Sequence, residues 1–262
     1  MTKVEESGPS AYGPRLFEAR QLLEQAVAAD AYYAPAIAAL ADTYLRAWLV
    51  PTEGTPTAQE FLQQATIDRG LMLARKAVAI DPSLAEARAE LAWILHWQYR
   101  RDEALAEFRH AFALNPNMAD GRFTLLLTHG GRATEAIDFM KRVMRLDPFH
   151  RPIYFSFLAT AYYLAGHYEL GIENSRLAVS RVPGVVHAVA WYTAGAAQLG
   201  LTEEARTAKA DVLRLAPDFT IAGFLQMIRF ARAEDADRLA DGLRKAGLPE
   251  SGWSHLSHLS GR

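Results

Sequence analysis

Residues 152–183 read PIYFSFLATAYYLAGHYELGIENSRLAVSRVP, and the way in which this segment ends recurs along the chain. An apolar helix end is followed by a proline at five places, at intervals of 34, 32, 35 and 34 residues. The five segments are AVAIDP (77–82), AFALNP (111–116), VMRLDP (143–148), LAVSRVP (177–183) and VLRLAP (212–217). A small residue near the start of the second helix keeps the same period, at Ala104, Ala136, Gly171 and Ala205. Two markers in one register predict a protein built from repeats of about 34 residues.

Each period contains two amphipathic helices. In one unit, Leu91 and Leu95 fall on one face of a first helix, and Ala104 and Phe108 line a second helix that stops before Pro116. A proline just past a helix end cannot continue that helix, so the chain turns into the next unit. A pair of this size cannot bury its apolar faces alone, so successive pairs must stack on one another.

The unit from Pro152 carries the residues of a known signature. These residues are Phe155, Leu158, Ala159, Tyr162, Gly166, Tyr168, Gly171, Ala178 and Pro183. On them, and over roughly residues 15–219, the chain resembles the tetratricopeptide repeat (TPR) family. Gly171 and Ser175 depart from its usual alanine and aromatic residue. The resemblance implies an all-α fold, a right-handed superhelical solenoid of antiparallel helix pairs whose first helices line a concave groove.

The repeat register also predicts the organisation of the chain. We expect a flexible segment 1–14, a solenoid 15–219 with units 34–82, 85–118, 119–150, 152–185 and 186–219, a pair of capping helices in 220–248, and a flexible tail 249–262. The unit 34–82 carries a long insertion, which we expect to form a loop before a long helix from about Ala58. In the short unit, the residues from His129 to Arg132 predict a tight turn, because they include two glycines.

The order of these features is similar to something narrower. The long insertion in the first full unit and the closing segment 241–249, DGLRKAGLP, resemble the carboxy-terminal TPR region of some bacterial class III adenylate/guanylate cyclases and related signalling proteins. This resemblance implies a regulatory or sensory role toward a cyclase-type catalytic domain, in cis or in trans. Since 262 residues leave no room for that domain, we expect a free-standing relative or a fragment.

Composition and charge exclude several classes of partner. The chain has 28 basic and 30 acidic residues, so no strong positive field favours nucleic acid. No run approaches the ~20 apolar residues of a membrane helix, and we expect no membrane insertion. The first ten residues lack the apolar stretch of a signal peptide, so we expect the protein in the cytoplasm. With no cysteine, disulfides, thiolate metal sites and a cysteine nucleophile are excluded.

Motifs for catalysis are missing from the sequence. There is no Walker loop, HExxH or Gly-x-Ser-x-Gly, and the eight histidines do not have the spacing of metal ligands. Acidic pairs such as Glu203 and Glu204 fall in first helical turns, where they favour the helix dipole. We therefore expect a non-enzymatic protein with no catalytic residue, no metal ligand and no bound cofactor.

The groove positions of the repeat supply the candidate partner-binding residues. They are the second, fifth, sixth, ninth, twelfth and thirteenth residues of a unit. The candidates are Glu86, Glu90, Trp93, His96, Trp97, Phe123, Ser156, Thr160, Tyr163, His187 and Trp191. Aromatic residues of this kind anchor partner helices or extended segments. We expect Trp93 and Trp97 to be exposed or to contact a ligand; the alternatives are that aromatics pack between helices, or that the tail with Trp253 fills the groove.

These features predict a TPR scaffold that binds a peptide or helix of a partner protein in an aromatic-rich groove. The Lys, Arg and Asn clamp of chaperone-type TPR domains is absent from these positions, which disfavours a chaperone tail as the ligand. Two alternatives stay open. The chain is a regulatory domain of a nucleotidyl-cyclase-like system, or it binds or hydrolyses a small molecule between Trp93 and Tyr163. The identity of the partner and the oligomeric state do not follow from the residues.

Overall fold

The computed structural model describes residues 12–50, 56 and 58–251 of the chain. It divides into two compact units, one up to Asp120 and one from Gly121. Every regular element in the described residues is helical, which confirms the predicted all-α fold class. The first helix begins at Tyr12, inside the segment expected to be flexible. The rest of that segment, residues 1–11, and residues 252–262 with Trp253 lie outside the described part of the chain.

The first unit contains one leading helix and two helix pairs. Its helices are α1 (Tyr12–Ala29), α2 (Ala34–Leu49), α3 (Gln64–Ile80), α4 (Ala85–Trp97) and α5 (Arg101–Leu114). The pairs are α2 with α3 and α4 with α5, and the two first helices, α2 and α4, also contact each other. Only three residues separate α4 from α5, which makes these neighbouring helices antiparallel.

The second unit contains three helix pairs and two further helices. Its pairs are α6 (Arg122–His129) with α7 (Ala133–Leu146), α8 (Tyr154–Leu164) with α9 (Tyr168–Arg181), and α10 (Val186–Gln198) with α11 (Thr202–Leu215); α12 (Ile221–Ile228) and α13 (Ala233–Lys245) follow. The first helices α6, α8 and α10 contact one another in sequence. The predicted turn between α6 and α7 is confirmed, with Gly131 at a φ of 79°.

The connections between pairs share a local cause. At the end of α3 the Asp81 carboxylate accepts a hydrogen bond from the backbone N–H of Ser83, at 2.9 Å. Asp147 after α7 receives the same bond from the N–H of Phe149, at 3.0 Å. These Asx turns satisfy backbone donors just where proline stops the helix. The hydrogen bonds from Ser83 lower the pKa of Asp81 below its ordinary value.

In the repeat 34–82, the helix that follows the insertion begins later than expected. The helix expected from about Ala58 is a short 3-10 turn (Ala58–Glu60), and α3 begins only at Gln64. Leu62 stands between them with a φ of 54°, a left-handed conformation that interrupts a right-handed helix. The break bends the chain so that the backbone N–H of Leu62 donates to the carbonyl of Trp48, at 3.1 Å.

Arg20 of α1 fastens the end of the insertion to the first pair. Its guanidinium donates to both carboxylate oxygens of Glu60 at 2.7 Å and to the backbone carbonyl of Thr43 at 2.9 Å. It also lies 4.0 Å from the ring centroid of Tyr44. The residue is 5% exposed, so these bonds replace the water that a buried cation would lose.

We expect Arg20→Lys to lower the free energy of unfolding by about 1–2 kcal/mol, because one ammonium group cannot contact Glu60 and both oxygens of Thr43 at once, as the three guanidinium nitrogens do. Urea titration followed by circular dichroism measures the change. Arg15→Lys is the matched control, since Arg15 is exposed on the same helix. Equal stability of the two variants would contradict the role assigned to the contacts of the Arg20 guanidinium.

Candidate functional site

The predicted groove residues all lie on first helices of pairs. The first unit holds Glu86, Glu90, Trp93, His96 and Trp97 on α4. The second unit holds Phe123 on α6, Ser156, Thr160 and Tyr163 on α8, and His187 and Trp191 on α10. The repeat register therefore places each candidate on the helix predicted to carry it.

In the first unit, the aromatic residues form a buried cluster. The ring of Trp93 stacks on that of His96 at 5.3 Å, and Trp97 packs edge-on against Trp93 at 5.4 Å. Trp48 of α2 joins the cluster 6.2 Å from Trp97. Trp93 and Trp97 are 7% and 6% exposed, so the structure does not leave the two indoles open to solvent. Packing between helices, the alternative expectation, describes their state, because α2 and α4 approach each other there.

The same cluster encloses a titratable ring. His96 is 6% exposed between two indoles. Burial, together with a smaller effect of the positive charge of Arg101, lowers the pKa of His96 to about 3. His96 is therefore a neutral packing residue at physiological pH.

The open part of this face in the first unit lies at its acidic end. Glu86 is exposed in the first turn of α4, and Glu90, one turn further on, is half-buried. On the adjoining helix α2, Ala39 is exposed at the sixth position of the repeat that begins at Ala34. A partner segment can reach Glu86 and Ala39 without any movement of the buried tryptophans.

Three predicted residues of the second unit point into its packing. Phe123 contacts Phe139 of its own pair at 5.0 Å and is 8% exposed. The Thr160 hydroxyl donates to the backbone carbonyl of Ser156 at 2.9 Å, one turn earlier on α8. Ser156 and Thr160 are 5% and 1% exposed, so neither offers a polar group to solvent.

The other three residues of the second unit are covered by the C-terminal helices. Tyr163 packs against Trp191 at 5.3 Å, and Trp191 contacts Phe224 of α12 at 6.5 Å. The ring of His187 lies 5.4 Å from Phe224, and its Nε2 is 3.4 Å from Sδ of Met227. Burial in this contact lowers the pKa of His187 to about 4.

Helix α13 lies across α8 and α10 next to Tyr163 and Trp191. The Tyr163 hydroxyl donates to the backbone carbonyl of Arg238 at 2.8 Å, and burial raises the pKa of this tyrosine above its ordinary value. The Gln198 amide donates to Asp241 at 3.0 Å and its carbonyl accepts from Lys245 at 2.8 Å. The helices expected to cap the open end of the repeats thus contact the predicted ligand positions of α8 and α10.

Backbone bonds hold both ends of this C-terminal segment. Between α12 and α13, the N–H of Ala231 donates to the carbonyl of His129 at 2.9 Å. After α13, the carbonyl of Pro249 accepts from the N–H of Ile221 at 2.8 Å. At the start of α13, the buried carboxylate of Asp235 pairs with Arg232 at 2.7 Å, where a negative charge favours the helix dipole.

Sequence reasoning missed the residues that complete this contact. They are Phe224, Leu239, Gly242 and Leu243, whereas Ala194 and Gln198 stand at the ninth and thirteenth positions of their repeat, which the register marks as groove positions. A signal was present in the spacing of Leu239 and Leu243, which places two leucines on one face of α13, next to the small Gly242. Nothing in that spacing indicates which surface the face covers.

Two other kinds of site are absent from the described residues. In residues 12–50, 56 and 58–251, no three histidine or acidic side chains come together to hold a metal ion. Over the same residues, no helix has the length and apolar character needed to cross a bilayer. The candidate site is the surface formed by the first helices of the pairs, α2 and α4 in the first unit and α6, α8 and α10 in the second. We name this surface the first-helix face.

Comparisons with known proteins identify the fold. No protein-family model and no curated protein matches the chain. Among solved structures, that of PilW, a widely conserved type IV pilus biogenesis factor, matches with a TM-score of 0.54 and 15% identity, over 71% of this chain and 88% of PilW. Pseudomonas aeruginosa pilF matches with a TM-score of 0.54 and 19% identity, over 87% of this chain and 90% of its own.

A third solved structure belongs to a protein that is described as a TPR protein. TTC0263, a thermophilic TPR protein in Thermus thermophilus, matches with a TM-score of 0.50 and 17% identity, over 69% of this chain and 92% of its own. At these identities the likeness concerns the fold alone. Together with the helix pairs of both units, it shows that this all-α chain has the fold of the TPR solenoids.

Proposed function

We propose that this protein is a non-catalytic TPR scaffold that binds a peptide or helical segment of a partner protein on its first-helix face. One observation carries the proposal. In the second unit, the first-helix face of α8 and α10 holds a helix, α13, through positions at which the repeat register predicts ligand contacts. A surface that holds a helix of its own chain has the shape and chemistry to hold one from another protein.

The first-helix face of the first unit offers the accessible counterpart. Ala39 is small and exposed on α2, and Glu86 is exposed on α4. A small residue allows the backbone of a bound segment to approach, and a carboxylate favours a segment that carries a basic or amide side chain. This unit is where we expect a partner segment to bind first.

The test is the double variant Ala39→Arg/Glu86→Arg. Peptides selected from a random display library on the wild-type chain are expected to bind this variant at least 10-fold more weakly, about 1.4 kcal/mol, because two long cations obstruct the face. Titration of the selected peptides by fluorescence anisotropy measures the change. Both positions are exposed, so the fold should be retained within about 0.5 kcal/mol.

The chain offers a matched control on the opposite helix of the pair. Ala106 is exposed on α5 and Asp102 is exposed in the first turn of that helix, as Glu86 is in the first turn of α4. Ala106→Arg/Asp102→Arg therefore introduces the same charges on a second helix. Peptides that bind both double variants as they bind wild type, or a library that yields no binder, would refute the proposed function.

The narrower roles stay predictions. A regulatory role toward a cyclase-type catalytic domain, and a location in the cytoplasm, rest on the sequence alone. For the third alternative, a small-molecule site between Trp93 and Tyr163, the residues named are buried within their own units at 7% and 2% exposure.

A further inference from the structure

The C-terminal helices of the second unit occupy a surface that the repeat register assigns to a ligand. Tyr163, Trp191 and Gln198 are groove positions of α8 and α10, and each contacts the segment from Phe224 to Lys245. The three first helices of this unit touch the segment in order: His129 at the end of α6, Tyr163 on α8, and Gln198 at the end of α10. The segment thus crosses the pairs as a bound ligand would.

Gly242 fixes how closely α13 approaches. A Cβ atom on this residue would lie 2.3 Å from the Tyr163 hydroxyl oxygen and 3.0 Å from both Cβ and the backbone oxygen of Ala194. Tyr163 is 2% exposed, and a shift of its ring would break the hydrogen bond to Arg238 and the contact with Trp191. A Cβ atom does not fit between α8, α10 and α13 unless these helices shift, so this face favours the smallest residue, glycine, at this position of the helix that it binds.

Two leucines supply the apolar contact on either side of that residue. Leu239 and Leu243 are 0% exposed and belong to one apolar cluster with Trp191, Ala190 and Ala194. They stand four residues apart on α13, on the same face of the helix. The recognised pattern is an amphipathic helix with leucines at i and i+4 and a small residue at i+3.

The polar contacts add one selective feature. The Tyr163 hydroxyl donates to a main-chain carbonyl, which any helix offers. Gln198 instead contacts two side chains, Asp241 and Lys245, which are themselves ion-paired at 2.6 Å. The face therefore favours an acidic residue just before the small residue and a lysine four positions after the acid.

The position of this segment at one end of the array bears on whether the contact can open. The segment that follows Phe219 stands at one end of the repeat array, and terminal elements open at lower free energy than central ones. Burial of the apolar residues between Ile221 and Leu248 is offset by the ordering of the segment that carries them, and the balance of such terms is small. The ion pairs at its surface, such as Lys245 with Asp241, are about half exposed and add little.

We propose that α12 and α13 are an intramolecular ligand of the first-helix face of the second unit. A partner's amphipathic helix with the acid–small–leucine pattern of α13 binds the same surface by displacing α13. The partner's existence rests on the proposed function; the intramolecular contact and its exchange do not. The chain in this state keeps its second unit closed until a competing helix of that chemistry is present.

The experiment uses the full-length chain and a labelled synthetic peptide of residues 230–251. We expect Gly242→Leu, which drives α13 off Tyr163 and Ala194, to bind the peptide at least 10-fold more tightly than wild type in fluorescence anisotropy. Hydrogen exchange should be faster in α13 of this variant and unchanged in α8 and α10. Asp237→Leu, on the exposed side of the same helix, is the matched control and should behave as wild type.

Three results would overturn the inference. One is a Gly242→Leu chain in which α13 exchanges as slowly as in wild type. Another is a released α13 with no gain in peptide binding, which would make α12 and α13 a structural cap. If the variant does not fold, an excess of unlabelled peptide added to wild type must accelerate exchange in α13, and its failure to do so is the third. None of these results changes the outcome for Ala39 and Glu86, so the two proposals fail separately.

Discussion

Replacing Trp97 with alanine is expected to lower the free energy of unfolding of the first unit by about 3–5 kcal/mol. The indole is 6% exposed and joins α4 to α2 through Trp48, with ring centroids 6.2 Å apart. Alanine would leave a cavity between the two first helices and remove the edge-on contact with Trp93. A loss of this size is a large fraction of the stability of a small unit.

Urea titration by circular dichroism, with hydrogen exchange of the α4 amides, measures this loss. Phe149→Ala is the matched control, because this aromatic side chain is 96% exposed between α7 and α8. Its removal should change stability by no more than about 0.5 kcal/mol. If Trp97→Ala were as stable as the control, the indole would not be a packing residue and would be available to a ligand.

This prediction decides how binding should be tested. A substitution of Trp93 or Trp97 that weakens partner binding would report unfolding of the first unit as readily as loss of a contact. Ala39 and Glu86 avoid that ambiguity, because both are exposed on the same first-helix face. The aromatic residues pack beneath this face, and we expect the exposed residues to be the ones that touch a partner.

The fold followed from the sequence because its determinants are local and repeated. The prolines that follow the helix ends, such as Pro82 and Pro116, and the turn glycine Gly131 affect only the few residues beside them. The same local pattern recurs in each repeat, so the repeats support one another in the prediction. The start of α3 was predicted too early, because the left-handed conformation of Leu62 depends on a contact with Trp48 across the insertion.

The site was harder to predict because it depends on distant contacts. The register placed Tyr163 and Trp191 on the correct helices but could not say what covers them. The covering helix lies far along the chain, with Tyr163 bonded to Arg238. Once the 34-residue period stops after Phe219, no repeated pattern indicates where the leucines of α13 pack. An amphipathic pattern predicts a buried face and leaves its partner open.

A large loss in the free energy of unfolding is also expected when the pH is lowered. His96 and His187 have pKa values lowered to about 3 and about 4 by burial, against about 6.5 in an unfolded chain. The folded chain keeps both rings neutral while the unfolded chain takes up protons below pH 6.5. Their stabilising contribution is therefore complete above pH 6.5 and is lost as the pH falls toward 4 and 3. Carboxylates with lowered pKa, such as Asp241, act only below about pH 4 and do not contribute to a change between pH 7 and 5.

Urea titrations at pH 7 and pH 5 should show this loss directly. The shift at His96 corresponds to about 2 kcal/mol between the two pH values. His187, which is half-buried by surface area, should lose somewhat less.

His96→Phe keeps a ring stacked against Trp93 and removes the titratable group. Its loss of stability between pH 7 and 5 should therefore be about 2 kcal/mol smaller than that of wild type. His187→Phe should do the same for the contact between α10 and α12. His187 has the higher pKa of the two rings and faces Phe224 and Met227, so acid should release α12 before α4. Hydrogen exchange measured as the pH is lowered from 5 to 4 resolves the order. Variants that lose as much stability as wild type between pH 7 and 5 would show that neither ring is held neutral by burial.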